Sequence, residues 1–222
     1  MRLVTTILIL NILFCSSLMA QRDSLTFLAL GDSYTVGTSE LVQNSWPEQL
    51  VKEFAKKKIA IESPEIIAGA GWTTEKLISE IERNKPDSKY DLVSLLIGVN
   101  NQYRGMNFEV FKKDFPKLLE TAVMLARNNP SNVFVLSIPD WGVMPFAKFK
   151  DRTKISTEIS MYNSFIKEET EKRNILYFDI TKNSKNALFN KALIASDSLH
   201  PSKKMYRSWV SKIKKKLVKK LQ

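Results

Sequence analysis

Only one histidine, His200, occurs in this chain of 222 residues. Chemistry that needs a proton shuttle near neutral pH has no other imidazole to use. Three residues before it stands Asp197, in the segment Ser196-Asp197-Ser198-Leu199-His200-Pro201. Across a turn of that length a carboxylate reaches an imidazole and fixes its tautomer, and Pro201 biases His200 away from helix. Far upstream, Gly31-Asp32-Ser33-Tyr34 sets a serine just beyond an apolar run. A serine hydroxyl is a poor nucleophile until a base takes its proton. A neutral imidazole does that, and a carboxylate stabilises the imidazolium that forms. Acyl transfer also needs donors aimed at the developing oxyanion. Gly71, in Gly69-Ala70-Gly71-Trp72, lets a backbone N–H approach a bound oxygen closely, and Asn100, in Gly98-Val99-Asn100-Asn101, carries a side-chain amide.

Each motif has a plainer reading when taken singly. Gly-Asp-Ser is commonly only a turn, an Asn past a strand can merely tie a loop, and a solitary His is usually structural. The serine lacks the Gly-x-Ser-x-Gly elbow, because Thr35 fills the last position, and no lysine follows Gly37 to make a phosphate loop. The glycines at 69 and 71 lack the third glycine and the acid of a dinucleotide fingerprint.

The elements that must position these residues join them. Thr26–Leu30, Ile59–Ala68 (interrupted by Pro64), Leu92–Ile97, Val133–Ile138 and Ile175–Ile180 read as five extended apolar runs. Helical spacing is expected over Trp46–Lys57, over a segment capped by Thr73 or Thr74 with Leu77, Ile78 and Ile81 as its stripe, and over Phe108–Arg127, where Pro116 is a site for a kink. It continues over Ile155–Lys172 and over a C-terminal helix beginning with Pro201. Strands alternating with helices predict an α/β sandwich: about five parallel strands with helices on both faces, as a single domain over residues 21–222. In such sheets ligands meet the loops beyond the carboxyl ends of the strands. Ser33, Gly71, Asn100, Asp197 and His200 all fall there. So do Tyr34, Trp72, Tyr103 and Trp141, predicted as substrate-binding residues, together with Met144 and Phe146.

With these blocks in this order, the chain resembles the SGNH (GDSL) hydrolase family. The likeness runs from Gly31-Asp32-Ser33 through Gly71 and Gly98-x-Asn100 to Asp197-x-x-His200. It implies a flavodoxin-like three-layer sandwich with no metal or organic cofactor. It implies Ser33 as nucleophile, His200 as general base and then acid, and Asp197 as its partner. The backbone N–H groups of Ser33 and Gly71 and the amide of Asn100 would form the oxyanion hole. Asn101 stands where family members often carry Asp, and Trp72 where a small or acidic residue is common.

Composition narrows the setting. One Cys and one His exclude clustered zinc sites, iron–sulfur clusters and disulfide frameworks within one chain. Arg2, the apolar run Leu3–Phe14 and the small residues Ser16, Ser17 and Ala20 predict a signal peptide over residues 1–20. Cleavage before Gln21 gives a secreted or periplasmic product without cysteine, the alternative being an uncleaved anchor. The bulky Phe14 argues against lipidation at Cys15. The net charge is +11, and nine basic residues without one acid lie between Lys203 and the end. With Tyr206, Trp209, Val210, Ile213, Leu217 and Leu221 they form an amphipathic helix. Its lysine face is either simply solvated or drawn to an anionic surface, and with no second basic face nucleic acid is not an expected partner. The expected function is a secreted serine esterase acting on a lysophospholipid or small acyl ester. The alternatives are a carbohydrate O-acetyl esterase, an acyltransferase, and a non-hydrolytic glycan- or lipid-binding protein.

Overall fold

A computed structural model describes residues 24–87 and 89–221. The predicted signal peptide, residues 1–20, lies outside the described residues. Five strands, β1 (Phe27–Asp32), β2 (Glu65–Gly69), β3 (Leu92–Leu96), β4 (Val133–Leu136) and β5 (Leu176–Phe178), form one sheet. Every pairing is parallel, and the order is β2-β1-β3-β4-β5. All six residues of β1 and all five of β3 are buried, as apolar runs covered on both faces must be. The order reverses beside β1, so the loops after β1, β2 and β3 open at a topological switch point.

Helices cover both faces. α1 (Ser33–Val36) follows β1 directly, and α2 (Trp46–Ala55) packs against the C-terminal helix α8 (Lys203–Leu221) on one side. α3 (Thr74–Asn84), α5 (Phe108–Leu125) and α6 (Arg152–Lys172) cover the other, while the short α4 (Val99–Tyr103) and α7 (Thr181–Lys185) sit in strand-end loops. One core joins Phe27, Trp46, Phe134, Tyr206 and Trp209 to the strands. The expected flavodoxin-like α/β/α sandwich is therefore the observed architecture.

The boundaries differ where a local rule was outcompeted. Pro64 cannot donate to a ladder. The residues before it make only a bridge between Ile61 and Leu25, and β2 starts at Glu65. Thr73 caps α3, its hydroxyl accepting from the Lys76 N–H at 3.3 Å. α5 runs through Pro116 as one helix, and α6 begins at Arg152 because the Asp151 side chain caps it. The C-terminal helix does not begin with Pro201. That residue pairs with Ile194 in an antiparallel bridge, and Ser202 accepts from the Tyr206 N–H at 3.0 Å, so the helix starts at Lys203. Met205, Tyr206, Trp209, Val210, Ile213 and Leu217 face the core, and most of the lysines face outward. Lys214 pairs with Glu53 of α2 at 2.5 Å.

Candidate active site

The serine sits where a strand turns straight into a helix. Asp32, the last residue of β1, caps α1 by accepting from the Tyr34 N–H at 3.0 Å. Gly31 makes this turn possible: a Cβ there would lie 2.3 Å from Thr35 Oγ1 and 2.6 Å from the Leu96 carbonyl oxygen. The turn leaves the Ser33 hydroxyl at the head of the sheet, with the residue 6 % exposed.

His200 reaches it from a loop 167 residues away. Ser198 adopts a left-handed conformation (φ 67°), which folds the segment so that Asp197 Oδ1 accepts from the Leu199 and His200 N–H groups, both at 2.9 Å. Asp197 Oδ2 then lies 2.5 Å from His200 Nδ1, and His200 Nε2 lies 3.0 Å from Ser33 Oγ. The chemistry of the groups assigns the protons. An ionised carboxylate only accepts, so Nδ1 carries the hydrogen, and Nε2 accepts from the Ser33 O–H. Partial burial pushes the Asp197 carboxyl upward, but donation from Ser39, from the His200 N–H and ring and from the Leu199 N–H outweighs it and holds the carboxyl well below the usual range. Asp197 is thus an anion whenever the imidazole needs one.

The donor loops converge on the same spot. Gly71 adopts φ +77° and Gly98 φ +123°, conformations that L side chains rarely adopt. Asn100, on α4, donates its side-chain amide to the Trp72 carbonyl at 2.9 Å, and Arg104 donates to the Gly71 carbonyl at 2.7 Å. Asn101 is buried and locks the neighbouring turn, accepting from the Thr74 N–H at 3.0 Å and donating to the Thr74 hydroxyl at 2.8 Å. Ser33, Gly71, Asn100 and His200 line one cavity of about 180 Å³, walled by Ala70, Val99, Leu199 and the aromatic rings of Tyr34, Tyr103, Trp141 and Phe146. Larger grooves between α2 and α8 (about 560 Å³) and beside α6 (about 760 Å³) contain none of the relay residues.

Of the four predicted substrate-binding aromatics, Tyr34, Tyr103 and Trp141 do line the cavity, and Trp72 does not. The Trp72 indole occupies the room left by the missing side chain of Gly69, where a Cβ would fall 2.2 Å from the ring. Met144 is fully buried, whereas Phe146 stands at the rim. Trp141 is held by Gln102, which accepts from the indole N–H at 2.7 Å and donates to Glu158 at 2.7 Å. Nothing in the sequence pattern singled out Gln102, Ser39 or the wall residues Ala70, Val99 and Leu199. Their roles depend on which way each side chain points.

No match is found among curated proteins. The model of the GDSL-like lipase/acylhydrolase family matches residues 29–208. The chain belongs to that family. Solved structures of similar fold include the lipase/acylhydrolase from Enterococcus faecalis (19 % identity, 89 % of this chain and 97 % of that chain, TM-score 0.63). The esterase EstA from Pseudoalteromonas sp. (17 %, 88 % and 98 %, TM-score 0.63) and the acetyl xylan esterase AlAXEase (17 %, 87 % and 100 %, TM-score 0.64) are also similar. This GDSL-family chain is a serine-type ester hydrolase.

A second carboxylate underlies the turn of this GDSL-family chain. Burial pushes Asp32 up to about 7, against the weaker lowering by the Tyr34 and Asp32 backbone N–H groups. Its Oδ2 has no partner among the described residues. The folded state therefore holds more protons than the unfolded state between about pH 4, the ordinary aspartate range, and about pH 7. Stability contributed by this group is complete below that window and falls as pH rises through it. Asp32→Asn keeps the cap acceptor and removes the ionisation. Its melting temperature relative to wild type is expected to be about 5 °C higher at pH 8 than at pH 5, read by thermal denaturation at both values.

Proposed function

We propose that the chain hydrolyses short-chain acyl esters through an acyl-Ser33 intermediate. His200 Nε2 takes the Ser33 proton as the hydroxyl attacks the ester carbonyl, and Asp197 stabilises the imidazolium. The Ser33 and Gly71 N–H groups and the Asn100 amide receive the oxyanion. His200 then returns the proton to the departing alcohol oxygen, and water attacks the acyl-enzyme by the same route in reverse. The observation that carries this reading is the 3.0 Å contact from His200 Nε2 to Ser33 Oγ at the mouth of an apolar cavity.

Cavity size favours short acyl groups over the fatty chain of a lysophospholipid. The cavity beside Ser33 is about 180 Å³, below the several hundred Å³ of sites that enclose larger ligands, which supports an acetyl to butyryl unit over a long alkyl chain. The fold neighbour that is an acetyl xylan esterase supports an acetylated carbohydrate as the natural ester, with the exposed rings of Tyr103 and Phe146 beside the cavity open to a sugar. The test is a chain-length series of p-nitrophenyl esters. The kcat/KM is expected to peak between acetate and butyrate and to fall at least tenfold by decanoate. A maximum at decanoate or palmitate would overturn the short-chain assignment.

The run from Arg2 to Ala20 supports export with cleavage before Gln21; the N-terminal sequence of the product from the culture medium or periplasm tests it. Exposed Lys204, Arg207, Lys212, Lys215, Lys216 and Lys219 on α8 support contact with an anionic surface, tested by salt-dependent retention on an anionic matrix.

A further inference from the structure

We propose that Ser39 is a positioning residue of the relay, holding the Asp197 carboxylate at the oxygen that faces the imidazole; this rests on the Ser33–His200–Asp197 reading above. The Ser39 hydroxyl donates to Asp197 Oδ2 at 2.6 Å, the same oxygen that accepts from His200 Nδ1 at 2.5 Å. Oδ1 is already occupied by two backbone N–H groups. The carboxylate is thus bound at both oxygens by four donors, and Ser39 supplies the one that comes from outside its own loop.

The segment carrying Ser39 is built onto the serine turn. The Ser33 carbonyl accepts from the Gly37 N–H at 3.0 Å and from the Thr38 N–H at 3.1 Å, and the Glu40 N–H donates to the Gly37 carbonyl at 3.0 Å. Ser39 itself is held at φ 68°, a conformation uncommon outside glycine and asparagine. One residue on, Glu40 Oε1 accepts from the Lys203 N–H at 2.7 Å, just past the histidine loop. Two contacts spanning about 160 residues therefore clamp the nucleophile's loop to the acid's loop, and the hydroxyl of Ser39 is the one that touches the relay.

The donation draws charge from Oδ2. Without it the carboxylate would hold the imidazolium more strongly and the imidazole less firmly in place. The other titratable or charged groups around the pair are Tyr34, whose ring edge meets the imidazole at 5.7 Å, Glu40, Lys203 and the buried Asp32 and Tyr206. None is altered by changing Ser39.

The test uses Ser39→Gly, which removes the hydroxyl yet accepts the positive φ, and Ser39→Asn, which tolerates that φ and carries an amide donor. Because the chain has one histidine, its imidazole can be titrated directly by NMR. For S39G the expectation is an unchanged or raised melting temperature, unchanged KM on p-nitrophenyl acetate, and kcat lowered about fivefold. The imidazole midpoint and the acidic limb of kcat/KM should both shift upward by several tenths of a pH unit, and S39N should recover part of both effects. If S39G matches wild type in kcat and imidazole titration while S33A is inactive, the role of Ser39 is overturned and the relay stands. An active S33A would overturn the relay and Ser39's role together.

Discussion

Ser33→Ala is expected to fold like the wild type and to lose about 10⁴-fold or more of its turnover of p-nitrophenyl acetate. The hydroxyl's only hydrogen-bond partner among the described residues is His200 Nε2 at 3.0 Å. The turn that presents it is held by the Asp32 cap and by the backbone donors onto the Ser33 carbonyl. Removing one oxygen from this 6 % exposed residue therefore leaves the turn and the strands beneath it in place. What disappears is the oxygen whose proton the imidazole is placed to take. Turnover and thermal denaturation measured on the same preparation separate the two effects: activity should vanish while the melting temperature stays within about 2 °C of wild type.

The second large effect is expected for Asp197→Asn, at about 10³- to 10⁴-fold in kcat, because it reverses the tautomer of His200. The direction follows from the contacts. Two backbone N–H groups point at Oδ1, so the asparagine carbonyl oxygen must take that place. The NH₂ then takes the place of Oδ2 and faces Nδ1, which can only meet it as an acceptor. The ring proton moves to Nε2, where it confronts the Ser33 hydroxyl instead of receiving its hydrogen. The alternative flip would set two N–H groups against the amide nitrogen, so it offers no escape. KM on a small neutral ester should change little, since Asp197 does not line the cavity. Comparable losses in KM and kcat would argue for a collapsed loop rather than a reversed tautomer.

What could be read from sequence, and what could not, divides along a physical line. The five apolar runs announced a buried parallel sheet because residues covered on both faces admit little else, and each run overlaps an observed strand. The residues of the relay were legible for a different reason. One histidine leaves no choice of base, and Asp197-x-x-His200 is a local spacing that a turn can satisfy. Side-chain direction was not legible. Trp72 was placed correctly in its loop, but its indole turned away onto Gly69 because that glycine leaves room for a flat ring. Ser39 carried no signal at all, since its contact joins positions 158 residues apart and depends on a positive φ at a residue other than glycine. α7, with the sequence TKNSK, has no apolar stripe to reveal a helix. Pro201 satisfied a local rule for a helix start, yet its bridge to Ile194 prevailed.

Covalent capture of the nucleophile tests the central claim most directly. A fluorophosphonate probe should form one adduct on the wild-type protein, mapped by peptide mass spectrometry to Ser33, and the rate of its formation should rise with pH as the imidazole loses its proton. Asp197→Asn should label at least a hundredfold more slowly. An adduct on a different serine, or no adduct on an enzyme that still turns over ester, would contradict the account.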